Sequence, residues 1–395
     1  MGVISAIGQG KALFTTALLE GRAAFNMMQR PGRQQESAYI GAEIREVVFS
    51  PGIARQTLRA ASLTVQAALV ALEEAWIEAQ LSDVDPRRTG LIVGGSNIQQ
   101  RELTQIHESY RDRSAFLRPT YALSFMDSDL CGFCTAQFGI RGLAYTVGGA
   151  SASGQLAIIQ AAQAVLSDQV DVCVALGALM DLSYWECQSM RALGAMGSDR
   201  YASEPALACR PFDCDHDGFI FGESCGAVVI ESLESSERRG VKPYAALRGW
   251  GIAMDGNRNP DPSLEGESWA IRSALDASGL LPAHIDYVNP HGTGSILGDG
   301  TELEALRACG LTGAYLNATK SLIGHGLSAA GTVEVIATLM QMQAGRLHPT
   351  RNLENPIDPT LNWVRNKSID HLIENALTLS MGFGGINTAL CWRRA

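Results

Sequence analysis

The sequence predicts an α/β protein of layered helices and buried sheets, and three observations carry that reading. Apolar runs of strand length recur along the chain, among them residues 89–95, 170–177 and 285–289. They alternate with segments whose apolar residues fall at helical spacing. The strands are apolar on both sides, a pattern of sheets covered on both faces and mainly parallel. This alternation runs through two cycles that divide near residue 235, giving an N-terminal half, 1–234, and a C-terminal half, 235–395, of related architecture.

Taken in order, residues 1–8 read as the turn after a strand that the sequence does not supply, and 11–20 as a helix. Residues 22–52 are polar and irregular, the segment expected to be most mobile. One long helix is predicted over 56–80, with Leu58, Ala61, Val65, Leu69, Leu72 and Trp76 on one face. A strand over 89–95, a helix over 106–117 and an irregular apolar stretch over 121–138 follow. Tyr145-Thr-Val147 then runs into Gly148 and Gly149, a small-residue turn and a helix over 155–166. Beyond a strand at 170–177 lie a glycine- and aspartate-rich loop, 209–226, and a strand at 227–231. In the second cycle 244–251, 285–289, 315–318, 377–381 and 388–392 read as extended, and 269–278, 302–309 and 328–344 as helical. Ala329, Ala330 and Gly331 make the last helix small-sided, as a tightly packed centre requires.

Composition narrows the function classes. With 46% apolar and 18% charged residues the 395-residue chain is an ordinary globular protein with ample core. A net charge of −10 argues against nucleic acid and anionic membranes as partners. The nine cysteines are scattered, and Cys131-x-x-Cys134 has no second pair at zinc spacing, so it reads as buried thiols. Unpaired thiols fit a reducing cytoplasm. No run reaches the roughly 18 apolar residues that span a bilayer, and the first residues lack a secretory pattern. A soluble cytoplasmic protein is expected.

Four features fall at strand ends or glycine turns, where α/β proteins place their sites. In the first, Ser151 is presented at a helix N-terminus, where free N–H groups favour negative charge. His291 stands in Asn289-Pro-His-Gly-Thr-Gly-Ser295, and His325 ends Lys320-Ser-Leu-Ile-Gly-His325. The fourth is Gly382-Phe-Gly-Gly-Ile-Asn387. Two histidines in glycine-flanked loops can donate N–H groups to a polarised carbonyl and stabilise an enolate or oxyanion. Spacing alone does not bring them together.

These segments, with Cys209-Arg-Pro-Phe-Asp-Cys-Asp-His-Asp-Gly-Phe-Ile-Phe-Gly-Glu223 and Ala329-Ala-Gly331, make the whole chain resemble the β-ketoacyl-(acyl carrier protein) synthases. The resemblance implies a thiolase-like, five-layered α-β-α-β-α fold of two similar halves, in a homodimer. It also implies a Cys-His-His site, with His291 and His325 as the two histidines. Lys320 and Glu302 match a lysine and a glutamate that support them, and a simple buried ion pair is the alternative reading of those two. Phe383 matches the residue whose N–H completes an oxyanion hole with that of the nucleophile, and Phe219 one that places a malonyl group. Thr293 and Ser295 stand where two threonines bind the phosphopantetheine arm.

The departure is at the nucleophile, where the family has cysteine and this chain has Ser151. A helix-terminal cysteine becomes a thiolate readily; serine needs a base, and the histidines are expected to be committed elsewhere. Acyl loading should therefore fail, while decarboxylation, which needs only the two donors, should survive. The chain is similar to the serine-bearing proteins that accompany an HMG-CoA-synthase-like enzyme in bacterial polyketide β-branching. The implied reaction is malonyl-carrier protein to acetyl-carrier protein plus CO2. The alternatives are a condensing synthase and a non-catalytic chain-length-factor-like partner, against which the retained histidines count. No metal or soluble cofactor is expected, the substrate arriving on the phosphopantetheine arm of an acidic carrier protein. Arg55 and Arg59 are candidates for a basic patch at the entrance.

Overall fold

In the computed structural model of the chain, which describes residues 1–35 and 37–395, two six-stranded sheets separate three layers of helices. The first sheet runs Gly8–Gln9, Gly2–Ser5, Ser224–Glu231, Val172–Gly177, Thr89–Gly94, Ala144–Val147 from edge to edge. The second runs Ala245–Met254, Ile386–Arg394, Asn375–Gly382, Tyr287–Asn289, Tyr315–Leu316, Asn362–Trp363. Helices Ser153–Leu166 and Ala330–Ala344 lie between the sheets. Leu63–Glu78 and Ser128–Phe138 cover the outside of the first sheet, and Leu264–Ser278, with Gly298–Ala308 against it, the outside of the second.

Both faces of the central strands are buried, so successive residues supply different cores. Val172, Val174 and Leu176 pack with the Leu63–Glu78 helix, while Cys173 and Ala175 join the core between the sheets. In the second sheet Leu377 and Leu379 face outward and Ala376 inward. Unbroken apolarity thus reports double burial, and it overstates parallel pairing. Thr89–Gly94 has parallel neighbours on both sides, but Ser224–Glu231 runs antiparallel to Val172–Gly177 and to Gly2–Ser5. The second sheet likewise joins a parallel side to an antiparallel hairpin.

Four expectations need correction. The first strand is not missing: Gly2–Ser5 is a buried strand paired on both edges, too short for a periodic signal. The segment expected to be mobile carries Arg33 and Tyr39, both fully buried, and Arg33 pairs with Glu43, Asp181 and Glu223. Its polarity is that of an interior ion network. The single helix over 56–80 is two, Arg55–Ala60 and Leu63–Glu78, parted by extended backbone at Ala61 and restarted by Ser62, whose side chain accepts the Val65 N–H. The stretch 121–138, expected to be irregular, contains the helices Tyr121–Ser124 and Ser128–Phe138.

The two central helices begin alike. Ala150, at φ 47°, opens a one-turn 3-10 segment before Ser153–Leu166, and Leu327, at φ 51°, opens another before Ala330–Ala344. They meet where side chains are absent. A Cβ on Gly154 would lie 2.7 Å from the Thr332 nitrogen, and one on Gly331 2.8 Å from the Gln155 nitrogen. The halves of the molecule are therefore joined beside the turn that carries Ser151.

Candidate active site

Ser151 sits in the 3-10 turn Ala150–Ala152, where the strand Ala144–Val147 gives way to a central helix. The turn is held by Ser153, whose hydroxyl donates to the Ala150 carbonyl at 2.7 Å and accepts the Gly149 N–H at 2.9 Å. Left-handed backbone at Ala150, a non-glycine residue, is strained. The turn Gly382-Phe383-Gly384-Gly385 closes on it from the second sheet: a Cβ on Gly382 would lie 2.3 Å from the Gly149 oxygen. Glycine is required there, and the contact brings Phe383 alongside Ser151.

His291 follows the strand Tyr287–Asn289. Its loop is fastened by two carboxylates of the Gly298–Ala308 helix. Glu302 accepts the N–H groups of His291 at 2.6 Å and Gly292 at 2.8 Å. Asp299 accepts those of Thr293 at 3.2 Å and Gly294 at 3.0 Å. Burial pushes the Glu302 carboxyl up to about 8, against the pull of these donors.

His325 is fixed by the glycine- and aspartate-rich loop: its N–H donates to the Ile220 carbonyl at 2.7 Å, and it bridges Phe221 in the parallel sense. The Phe219 ring stands edge-on to the imidazole, with centroids 5.3 Å apart. The two histidine rings are also 5.3 Å apart and nearly perpendicular. Burial, with the positive charge of Lys320, holds both well below the usual histidine range, so both are neutral.

Lys320 lies behind the histidines, fully buried. Its ammonium donates to the His291 carbonyl and contacts His291 Nδ1 at 3.4 Å. Its ion-pair partner is Glu334, at 2.5 Å, which corrects the pairing with Glu302. Sequence reasoning missed Glu334. The signal was present: an acid inside an otherwise small and apolar helix needs a buried cation.

Ser151, Phe219, His291, Thr293, Ser295, Glu302, His325 and Phe383 all line one cavity of about 290 Å³. Thr293 and Ser295 are wall residues, and Ile296, Leu297 and Leu193 are exposed apolar residues of the lining. Arg55 and Arg59 are exposed on a surface helix but are not part of that lining. Cys131 and Cys134 are buried on one helix.

The site contradicts the expectation that both histidines are engaged away from the serine, for Ser151 Oγ is 2.9 Å from His325 Nε2. The pair does not make a strong nucleophile. His325 Nδ1 has no hydrogen-bond partner among the described residues. A general base of this kind relies on an acceptor at the far nitrogen to hold its tautomer and stabilise the imidazolium. Burial and Lys320 oppose that cation further.

Known proteins place the chain independently. The family model for the β-ketoacyl synthase N-terminal domain matches residues 1–236, and that for the C-terminal domain matches 244–354. The polyketide biosynthesis malonyl-ACP decarboxylase PksF of Bacillus subtilis (strain 168) is 63% identical over 391 residues, covering 99% of this chain and 94% of that protein. Chloroplastic 3-oxoacyl-(acyl-carrier-protein) synthase I of Arabidopsis thaliana is 29% identical over 410 residues, 99% of this chain and 85% of that one. A solved β-ketoacyl synthase from Burkholderia phymatum STM815 superposes with a TM-score of 0.88 at 26% identity, covering 100% of this chain and 98% of that chain.

Proposed function

The chain belongs to the β-ketoacyl synthase family, and on that premise we propose that it decarboxylates malonyl-acyl carrier protein to the acetyl form in polyketide biosynthesis. One observation carries the reading. A hydroxyl, not a thiol, occupies the nucleophile's place 2.9 Å from His325 Nε2, while the second histidine stays beside the first.

In this reading the thioester carbonyl of the malonyl group lies between the side chains of His291 and His325. Lys320 at His291 Nδ1 leaves the Nε2 proton on the other side of that ring, available to the substrate. When the bond to the carboxylate breaks, CO2 leaves and its electron pair moves onto the thioester as an enolate. Neutral donors held in fixed positions stabilise that charge without reorganising. Protonation of the enolate carbon gives acetyl. The N–H groups of Ser151 and Phe383 are assigned to an oxyanion hole, and Phe219 to placing the malonyl group. No acyl-enzyme forms, because the serine hydroxyl ionises far above neutral pH and its base is weak.

The phosphopantetheine arm of the carrier protein is the substrate's handle, passing Thr293 and Ser295. The acetyl product suits the β-branching role inferred from the resemblance, feeding an HMG-CoA-synthase-like enzyme. A homodimer is also proposed. The strand Ala144–Val147 ends its sheet with Tyr145 exposed, and Phe116, Leu123, Phe125 and Met126 are exposed too. A cytoplasmic setting fits nine free thiols, eight of them buried.

Intact-mass analysis of malonyl-carrier protein incubated with the protein tests the function. Formation of acetyl-carrier protein, with no acyl mass on the enzyme, supports decarboxylation. Untouched malonyl would overturn it in favour of a non-catalytic subunit, and an acyl adduct on Ser151 in favour of a condensing enzyme.

A further inference from the structure

Decarboxylation leaves a carbon that must take a proton. In a condensing enzyme that carbon attacks an acyl group instead, so a decarboxylase needs an acid that condensation does not. Few groups around the cavity can serve. His291 and His325 are the assigned donors to the enolate oxygen, and Lys320 is spent on Glu334 and the His291 carbonyl. Both oxygens of Glu302 accept backbone N–H groups, as does Asp299 from Thr293, Gly294 and Phe212. Asp255 accepts from the Asn387 amide at 2.6 Å, and Asp261, which also lines the cavity, is exposed to bulk solvent.

Glu267 is different. It lies near the start of the Leu264–Ser278 helix, is 2% exposed, and lines the same cavity. Its Oε2 is buried without a hydrogen-bond partner among the described residues. An ionised carboxylate so placed would lack compensation, whereas a protonated one is a neutral donor at the cavity wall. Burial, and then the acidic groups of Glu302, Asp255 and Asp299 facing it from other elements, raise this carboxyl well above the usual range.

We propose that Glu267 is the acid that protonates the enolate carbon, an assignment that rests on the decarboxylase reading. The C–C bond breaks and CO2 departs. The enolate's electron pair then takes the proton from the Glu267 carboxyl, forming the methyl C–H bond and leaving a carboxylate. That carboxylate regains a proton from water at the cavity mouth, so each turnover consumes one proton and yields CO2 and the acetyl thioester. Because the proton comes from one wall, the enolate is protonated on one face.

The test uses malonyl-carrier protein bearing one deuterium and one tritium at C2 in a single configuration. The unaltered protein is expected to give a chiral methyl of one configuration. Glu267→Gln keeps the shape but has no acidic proton; kcat should fall on the order of 100-fold with KM unchanged, and the methyl should become racemic. Glu267→Asp keeps the acid one methylene further back and should retain the single configuration at reduced kcat. Full kcat, or one methyl configuration, in folded Glu267→Gln overturns the assignment while leaving the decarboxylase reading intact. If that variant does not fold, a racemic product from Glu267→Asp overturns it equally. Malonyl left untouched by the unaltered protein overturns both.

Discussion

Ser151 Oγ lies 2.9 Å from His325 Nε2, a hydrogen bond across 174 residues of sequence that ties the first central helix to the loop before the second. Its value for catalysis depends on what the serine is asked to do. If only its backbone N–H and a neutral His325 matter, Ser151→Ala should keep decarboxylation within about tenfold, while His325→Ala removes an oxyanion donor and costs on the order of 10² to 10³ in kcat. Ser151→Cys should become acylated on that cysteine, because a thiolate needs no strong base. Turnover of malonyl-carrier protein and intact mass of each variant decide these points. Loss of activity in Ser151→Ala as deep as in His325→Ala would make the hydroxyl itself essential.

The pH response follows from the buried groups. An ordinary histidine is protonated below about pH 6.5. His291 and His325 titrate well below that, so decarboxylation should not weaken as pH falls from 7.5 to 6. Stability has two opposed parts. The depressed histidines, with His348 brought by burial to about 4, contribute stability that is complete above about pH 6.5 and lost as pH falls. Burial raises Glu302 to about 8 and Glu334 to about 7, and their contribution is complete in acid and lost as pH rises through those values. The two sets offset each other between about pH 4.5 and 6.5. Above that only the acids titrate, so the urea midpoint should fall between pH 6.5 and 8. A midpoint that rises over that interval would contradict the raised titration of these buried carboxyls.

How much of this was legible in sequence is decided by range. The turn at Ser151, both histidine loops and the Gly382 turn announce themselves locally through glycines, and all four converge on one cavity. Partner identity did not, because Lys320 reaches Glu334 only through the way a helix packs, and the resemblance pointed to Glu302 instead. Glu267 carries no local signal at all: it falls just before the helix predicted over 269–278, yet the structure makes it a buried residue of the Leu264–Ser278 helix. Strand direction was likewise hidden, since burial on both faces makes parallel and antiparallel strands equally apolar.

The crossing of the central helices inverts the ordinary rule for glycine. Gly→Ala inside a helix gains about 1 kcal/mol where there is room. Gly132 has that room, with nothing within 4 Å of its Cβ position, so Gly132→Ala should raise the melting temperature. At Gly154 and Gly331 the new methyl would stand 2.7–2.8 Å from backbone nitrogen of the other helix, and overpacking should cost about 1–3 kcal/mol. The Ser151 turn opens one of these helices, so activity should fall as well. Equal shifts at all three positions would mean that the helices part without strain.

Arg33 tests whether the polar segment 22–52 is part of the core. Its guanidinium is fully buried and pairs with Glu43 at 2.7 Å, Asp181 at 2.8 Å and Glu223 at 2.6 Å. Burial alone would raise Glu223; hydrogen bonding to Arg30 and the charge of Arg33 bring it below the usual range. Removing the cation leaves Glu223 with Arg30 and Asp181 with Arg101 alone, so the loss should approach but not exceed the about 3–5 kcal/mol of a fully orphaned buried charge. Arg33→Met, which keeps the bulk without the charge, should therefore unfold at clearly lower urea. The effect should also reach the site. Arg33 lies over the Phe221 ring, 5.2 Å from its centroid, and Phe221 bridges the backbone of His325. Decarboxylation in folded Arg33→Met should drop even though Arg33 lies outside the cavity lining, and Arg33→Lys should recover part of both losses. Stability unchanged in Arg33→Met would show that water, not the guanidinium, serves those carboxylates.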